Sequence, residues 1–259
     1  MILKLGLVTY NLAKDWDLDK IIDMCEKTGF KGVELRTTHA HGVSADLNKK
    51  ERKEIKEKFD NSSVELVGMG TAFEYHALDQ EEVRKNIEGT KEYVKLTADI
   101  GGNGVKVRPN GDQVDQGVPK EKTLKQIGKA LRECGEYAVN YGIEIRVEMH
   151  GSVAEACDMA KIMEAADHEN VYICWNSNSV DVKNGSIADD FELMRDYIGM
   201  VHITELWEEE YGEYPYRELF KLLEESGYDG FCCAELHSGS DQPERLMKYY
   251  KALFNAYCS

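Results

Sequence analysis

Short runs rich in Val, Ile and aromatic residues alternate along the chain with longer stretches whose apolar residues recur every three or four positions. The runs begin near Leu3, Gly32, Val64, Gly104, Ile143, Val171, Gly199 and Gly230, at intervals of about 28 to 40 residues, enough for one strand and one helix each. Helical spacing is clearest in Leu18, Ile21, Ile22 and Cys25, in Leu124, Ile127, Leu131, Cys134 and Ala138, and in Leu246, Met247, Tyr250, Leu253 and Phe254. The junctions repeat as well. EKTGFKGVEL (26–35) and EESGYDGFCC (224–233) each place one glycine after a polar helix end and another just before the strand. The first suits a left-handed helix cap, and Gly142, Gly101 and Gly102 fall at equivalent joints. Eight such units permit a closed barrel or a doubly wound open sheet, and no GxGxxG phosphate loop follows the first strand. The pattern predicts a (β/α)8 TIM barrel, one domain spanning residues 1–259.

Side chains alternate along a strand, so the apolar parity faces the helices and the other parity faces the barrel interior. In IEIRVEMH this sorting leaves Glu144, Arg146, Glu148 and His150 pointing inward. GVELR contributes Glu34 and Arg36, GVKVR contributes Lys106 and Arg108, and VYICWN contributes Tyr172, Cys174 and Asn176. Met200, His202 and Thr204 follow on the seventh strand, then Phe231, Cys233, Glu235 and His237 on the eighth. A barrel usually fills its interior with aliphatic layers, and buried charges are costly unless paired, hydrated or bound to metal. A lattice of Glu–Arg ion pairs accounts for Glu34, Arg36, Glu144 and Arg146 at least as readily as a direct catalytic role does. Glu148, Asn176, His202 and Glu235 instead sit near the C-terminal ends of strands five to eight, where barrel active sites are built. Two carboxylates, an imidazole and an amide oxygen make an oxygen/nitrogen site for one divalent ion, Mn²⁺, Mg²⁺, Zn²⁺ or Co²⁺.

Composition narrows the functional classes. Acids outnumber bases 48 to 32, for a formal charge of -16, which repels phosphate backbones and anionic lipid, so neither nucleic acid nor membrane is an expected partner. Four prolines and no Ser/Pro/Gly-rich tract leave no linker between domains. MILKLGLVTYN reads as a first strand, not a signal peptide, and no run reaches membrane-spanning length. Seven cysteines without CxxC spacing fall mostly in apolar segments, the pattern of reduced core thiols in a cytoplasmic protein.

GFKGVELR (29–36), VEMHG (147–151), VYICWN (171–176), VHITE (201–205) and AELH (234–237) together resemble the xylose isomerase-like TIM barrel superfamily, in its sugar phosphate isomerase/epimerase branch. The resemblance runs from LKLGLVTYN to AELHSG and implies carbohydrate metabolism with one divalent metal. The family's Glu, Asp, His and Glu ligands match Glu148, Asn176, His202 and Glu235. Asn176 replaces the usual Asp, Ser179 a common His, and Thr204 a common substrate-contacting Lys. An Asn oxygen ligates a divalent ion without contributing charge, so weaker affinity is expected.

The implied activity is a sugar isomerase or epimerase in which Glu148 and Glu235 exchange a proton next to a carbonyl through an enediolate. If a leaving group sits β to that proton, the same machinery gives a lyase or dehydratase on a keto-sugar or inosose. A metal-free sugar-binding barrel is a third reading, resting on Asn176. An apurinic endonuclease of the same fold needs a larger ligand set and a DNA-tolerant charge, and both are lacking here. Arg108, His150, His237, Glu34 and His76 are the expected substrate-binding residues around the mouth, with Lys106 beside them. The loop 38–44, with His39 and His41, is placed to cover the site. The acidic, aromatic segment 203–220 supplies Trp207 as a sugar contact and a helix starting at Pro215. The partner is a small-molecule carbohydrate, non-phosphorylated or a keto-sugar in the absence of a basic cluster. Homo-oligomerisation is common among such barrels, and no sequence feature fixes a stoichiometry.

Overall fold

The structure, a computed structural model, describes residues 3–207 and 214–259. Its first half runs β1 (Lys4–Val8), α1 (Leu18–Thr28), β2 (Gly32–Arg36), α2 (Lys49–Asp60), β3 (Glu65–Gly70), α3 (Gln80–Ile100), β4 (Gly104–Val107) and α4 (Lys120–Ala138). The second half continues through β5 (Glu144–Glu148), α5 (Ala156–Ala166), β6 (Val171–Asn176), α6 (Ala188–Met194), β7 (Ile198–Ile203), α7 (Tyr216–Ser226), β8 (Phe231–Ala234) and α8 (Pro243–Tyr257). Each strand pairs in parallel with the next, and β8 returns to β1, with Lys4 opposite Phe231, to close the barrel. Every strand begins within a residue of where the apolar runs place it.

Local chemistry sets the element ends. The Asp17 side chain accepts from the Lys20 amide to start α1, and Gly29, at φ 81°, ends it in the left-handed conformation that a side chain disfavours. Gly227 ends α7 in the same way, at φ 79°. Pro215 stands just before α7, while residues 208–213 of the acidic segment lie outside the described residues.

The parity expected from the sequence holds around the barrel. Val33, Leu35, Val105, Val107, Ile145, Val147, Ile173, Trp175, Val201 and Ile203 join the core between sheet and helices. Val8, Val67, Cys174, Met200, Phe231 and Cys233 form a separate cluster inside the barrel. Beneath it, the nearly buried Arg146 plugs the N-terminal end, bonding the Val67 carbonyl at 3.0 Å, Asn103 at 2.9 Å and the Glu144 carboxylate at 2.6 Å. Gly104 leaves the space this needs, because a Cβ there would overlap the guanidinium. Of the expected Glu–Arg lattice, only Arg146 and Glu144 pair with each other. Glu34 and Arg36 are drawn into the site above. Burial pushes the Cys174 and Cys233 thiols up, so they are neutral packing groups there.

Candidate active site

At the C-terminal end of the barrel a cavity of about 880 Å³ opens over Glu148, Asn176 and Glu235. Its floor is built by strand register. Asn176 lies opposite His202 across β6 and β7, and Glu235 stands two residues beyond Cys233, the β8 partner of His202. Ligand atoms of Glu148, His202 and Glu235 all lie within 4.8 Å of one another, and all three residues are buried. His202 Nδ1 is 3.7 Å from Glu148 Oε1 and 3.5 Å from Glu235 Oε2. Both ring nitrogens of His202 are buried without a hydrogen-bond partner, an arrangement costly for an imidazole unless something fills the gap. A cation held between Nδ1, Glu148 and Glu235 fills the gap on that side of the ring, so the donor set suits a divalent ion.

Each carboxylate also carries a protein cation. Lys106 Nζ, on a residue only 2% exposed, lies 2.6 Å from Glu148 Oε2. Burial pushes the Lys106 ammonium down, but Glu148, Glu34 and Glu235 outweigh it and raise it above its ordinary value. Lys106 is therefore a fixed positive charge and not an amine nucleophile. Burial likewise pushes Glu148 up, while the adjacent Lys106 ammonium holds its carboxyl well below the usual range. Arg36 Nη1 reaches Glu235 Oε1 at 3.5 Å, and the guanidinium carbon lies 4.8 Å from the Tyr10 ring centre.

Of the residues expected to contact substrate, Arg108, His150 and His237 line the cavity, together with Tyr10 and Arg36. Arg108 spends one contact on Glu74, at 3.3 Å. Glu34, expected at the mouth, is 1% exposed and lies 3.5 Å from His202 Nε2. It therefore supports the imidazole from below, as carboxylates behind metal-ligating histidines do. Lys106 is likewise on the floor and not at the mouth. His76 is absent from the cavity wall, lying 3.7 Å from Glu74 and against Gly111. Trp207 also stays outside it, set edge-on to Tyr250 at 5.6 Å. His41 is occupied by the Arg36 carbonyl at 2.7 Å and the Val43 amide at 3.0 Å, and neither it nor His39 lines the cavity.

Glu205 is a functional candidate that the sequence pattern does not single out. Fully buried, it accepts from the His237 amide at 2.6 Å and the Ser238 amide at 3.1 Å, and its second oxygen meets His237 Nδ1 at 2.9 Å. It thereby fixes which edge of the His237 ring faces the cavity. An acidic residue directly after the apolar run of β7 was the available signal, but its partner lies 32 residues away.

The segment after β6 forms one wall. Ser177 Oγ donates to the His202 carbonyl at 2.9 Å, and Asn178 Nδ2 donates to the Met149 carbonyl at 2.7 Å. Asp181 closes this turn by accepting from the Asn178 amide at 3.2 Å, while its other oxygen is buried without a partner. Burial pushes the Asp181 carboxyl from 3.8 up to about 8. The fold holds a proton that the unfolded chain releases, so stability falls as pH rises between about 4 and 8, by up to about 1.4 kcal/mol per pH unit. Asp181→Asn is expected to raise the melting temperature, and by more at pH 8.5 than at pH 5. Melting curves at the two pH values check this, and an equal shift at both contradicts it.

The sequence matches the xylose isomerase-like TIM barrel family over residues 22–253. The chain belongs to that family. Among curated proteins none matches it. Among solved structures it is similar to L-ribulose 3-epimerase, with 15% identity, a TM-score of 0.82, and coverage of 99% of this chain and 95% of that one. It is also similar to apo 3-keto-D-glucoside 4-epimerase YcjR from E. coli, at 17% identity and TM-score 0.79, covering 98% and 100%. A third is the IOLI protein with a binding zinc atom, at 16% identity and TM-score 0.77, covering 98% and 96%. At such identities the likeness establishes the fold. The chain carries a buried Glu, His and Glu on the floor of its cavity. Among the described residues no helix is long and apolar enough to cross a membrane.

Proposed function

We propose that the chain is a divalent-metal-dependent sugar isomerase or epimerase that moves a proton next to a carbonyl through an enediolate, with Glu148 and Glu235 as its acid/base pair. The observation that carries this reading is the buried Glu148, His202 and Glu235 cluster with its unpartnered imidazole nitrogens. Glu148, His202 and Glu235 would hold the ion, with the Asn176 amide oxygen beside them. When bound, the ion would polarise a sugar carbonyl and its adjacent hydroxyl and neutralise part of the site's negative charge.

The chain's own groups do the rest. Lys106 keeps Glu148 ionised, and its fixed charge favours the anion that forms when the proton leaves. One glutamate removes the proton and the other returns it. Return to the opposite face inverts the carbon, and return to the neighbouring carbon interconverts aldose and ketose. Arg108 and His150 hold substrate oxygens at the rim. A second reading, a dehydratase on a keto-sugar, is favoured by the His237–Glu205 pair, since an imidazole held by Glu205 in the cavity that Glu235 also lines can protonate a departing oxygen.

Deuterium uptake from D₂O tests the reading, measured by proton NMR with D-fructose, D-psicose, L-ribulose and 3-keto-glucosides as probes. Uptake at the carbon next to the carbonyl is expected with Mn²⁺ and lost with chelator. Uptake indifferent to chelator, or none across the panel, contradicts it.

A further inference from the structure

The cavity is larger than the chemistry on its floor requires. At about 880 Å³ it falls in the upper part of the ~300–1,000 Å³ range of small-molecule sites, while proton transfer on one sugar needs only the space around Glu148 and Glu235. The remaining wall has a different character. Ala154, Ser179, Val180, Val182 and Tyr214 line it, and none carries a charge, in a chain whose formal charge is -16.

Val180 is the informative residue. It is 46% exposed, and among the large apolar side chains exposed on the described residues it alone lines this cavity. Packing does not explain it, since it faces open space next to the site. The wall is also tied down by hydrogen bonds. Ser177 and Asn178 tie it to the ends of β7 and β5, Asp181 closes its turn, and Trp175 Nε1 fixes the Tyr214 hydroxyl at 2.8 Å. Apolar carbon surface beside hydroxyl and aromatic groups is what a pyranose ring presents a use for, with its C–H faces and peripheral hydroxyls.

We propose that this wall is a subsite for a second sugar ring, so that the substrate is a keto-sugar carrying another sugar through a glycosidic oxygen. The inference rests on the keto-sugar reading of the floor and adds the substrate class. The occupant follows from continuity, because the wall and the floor belong to one cavity, and from neutrality, because none of these five residues carries a charge to pair with a phosphate or carboxylate, whereas Arg36 and Arg108 line the cavity elsewhere.

The test is calorimetric titration of the Mn²⁺-loaded protein with D-fructose and with its glucosyl derivatives turanose, maltulose and isomaltulose. At least one disaccharide should bind ten-fold or more tightly than fructose, and Val180→Asp should bring it down to the fructose level measured on the same variant. If no disaccharide binds more tightly than fructose, the subsite is overturned. It is equally overturned if the gain survives both Val180→Asp and Val182→Asp. Failure of the floor chemistry shows separately: a disaccharide preference without deuterium uptake sinks the enediolate reading alone, and uptake without that preference sinks the subsite alone.

Discussion

Glu235→Gln and Glu148→Gln each lower deuterium uptake by a keto-sugar roughly 10²–10⁴-fold, the range over which a positioned acid or base contributes. Both glutamates are buried on the floor of the cavity, and a carboxamide takes up neither proton nor charge. The two variants differ in stability, however. Glu235 is met by Arg36, whose side chain is 19% exposed and also lies over Tyr10, so its amide is tolerated. Glu148 pairs with Lys106 in a fully buried contact, and removing one partner of such a pair typically costs about 3–5 kcal/mol. Glu235→Gln should therefore melt close to the unaltered protein, while Glu148→Gln melts earlier. NMR exchange rates and melting curves on both variants check the expectation. A double variant that still exchanges contradicts the two-glutamate mechanism.

Arg146→Met destabilises the fold by about 1–3 kcal/mol, the cost of leaving buried polar groups without their donor while the 35% exposed Glu144 is partly rehydrated, with the site above it unaltered in composition. The guanidinium closes the barrel from inside by bonding Val67 and Asn103 on two other parts of the chain and Glu144 on its own strand, and its side chain is 5% exposed. Methionine fills the space but leaves the Val67 carbonyl and the Glu144 carboxylate without their donor. Arg132→Met is the matched control, because the Arg132–Asp167 contact is exposed on both sides, at 41% and 78%, and such pairs contribute about 0–1 kcal/mol. Urea denaturation of the two variants separates them. A loss below about 1 kcal/mol for Arg146→Met means that the buried lattice does not hold the barrel.

The barrel was legible because its code is local. Apolar parity fixes which face of each strand meets the helices, and a glycine after a helix end marks the turn into the next strand. The same parity brought Glu148, His202 and Glu235 together from three strands. Height inside the barrel was not legible, because it depends on strand tilt and stagger. Register between β2 and β3 shifts at Val33 and Glu34, and Glu34 ends beneath His202 instead of at the mouth. Lys106 was read as a mouth residue for the same reason, although its inward direction was correct. Loop residues were the least legible. His76 and Trp207 have the right chemistry for sugar contacts, but their neighbours Glu74, Gly111 and Tyr250 direct them elsewhere. Glu205 escaped notice because its value lies in a contact with the far end of β8, which no spacing rule encodes.

The central claim is that Glu148, His202 and Glu235 hold a divalent ion, with Asn176 as a neutral fourth neighbour. It is tested most directly by elemental analysis of protein purified without chelator, alongside Glu235→Ala and Asn176→Asp. The account predicts roughly one ion per chain, lost in Glu235→Ala and held more tightly in Asn176→Asp, since a carboxylate adds charge that an amide lacks. An unaltered chain that carries no ion, even after incubation with Mn²⁺ or Zn²⁺, while Asn176→Asp carries one, would contradict it and leave a sugar-binding barrel without metal.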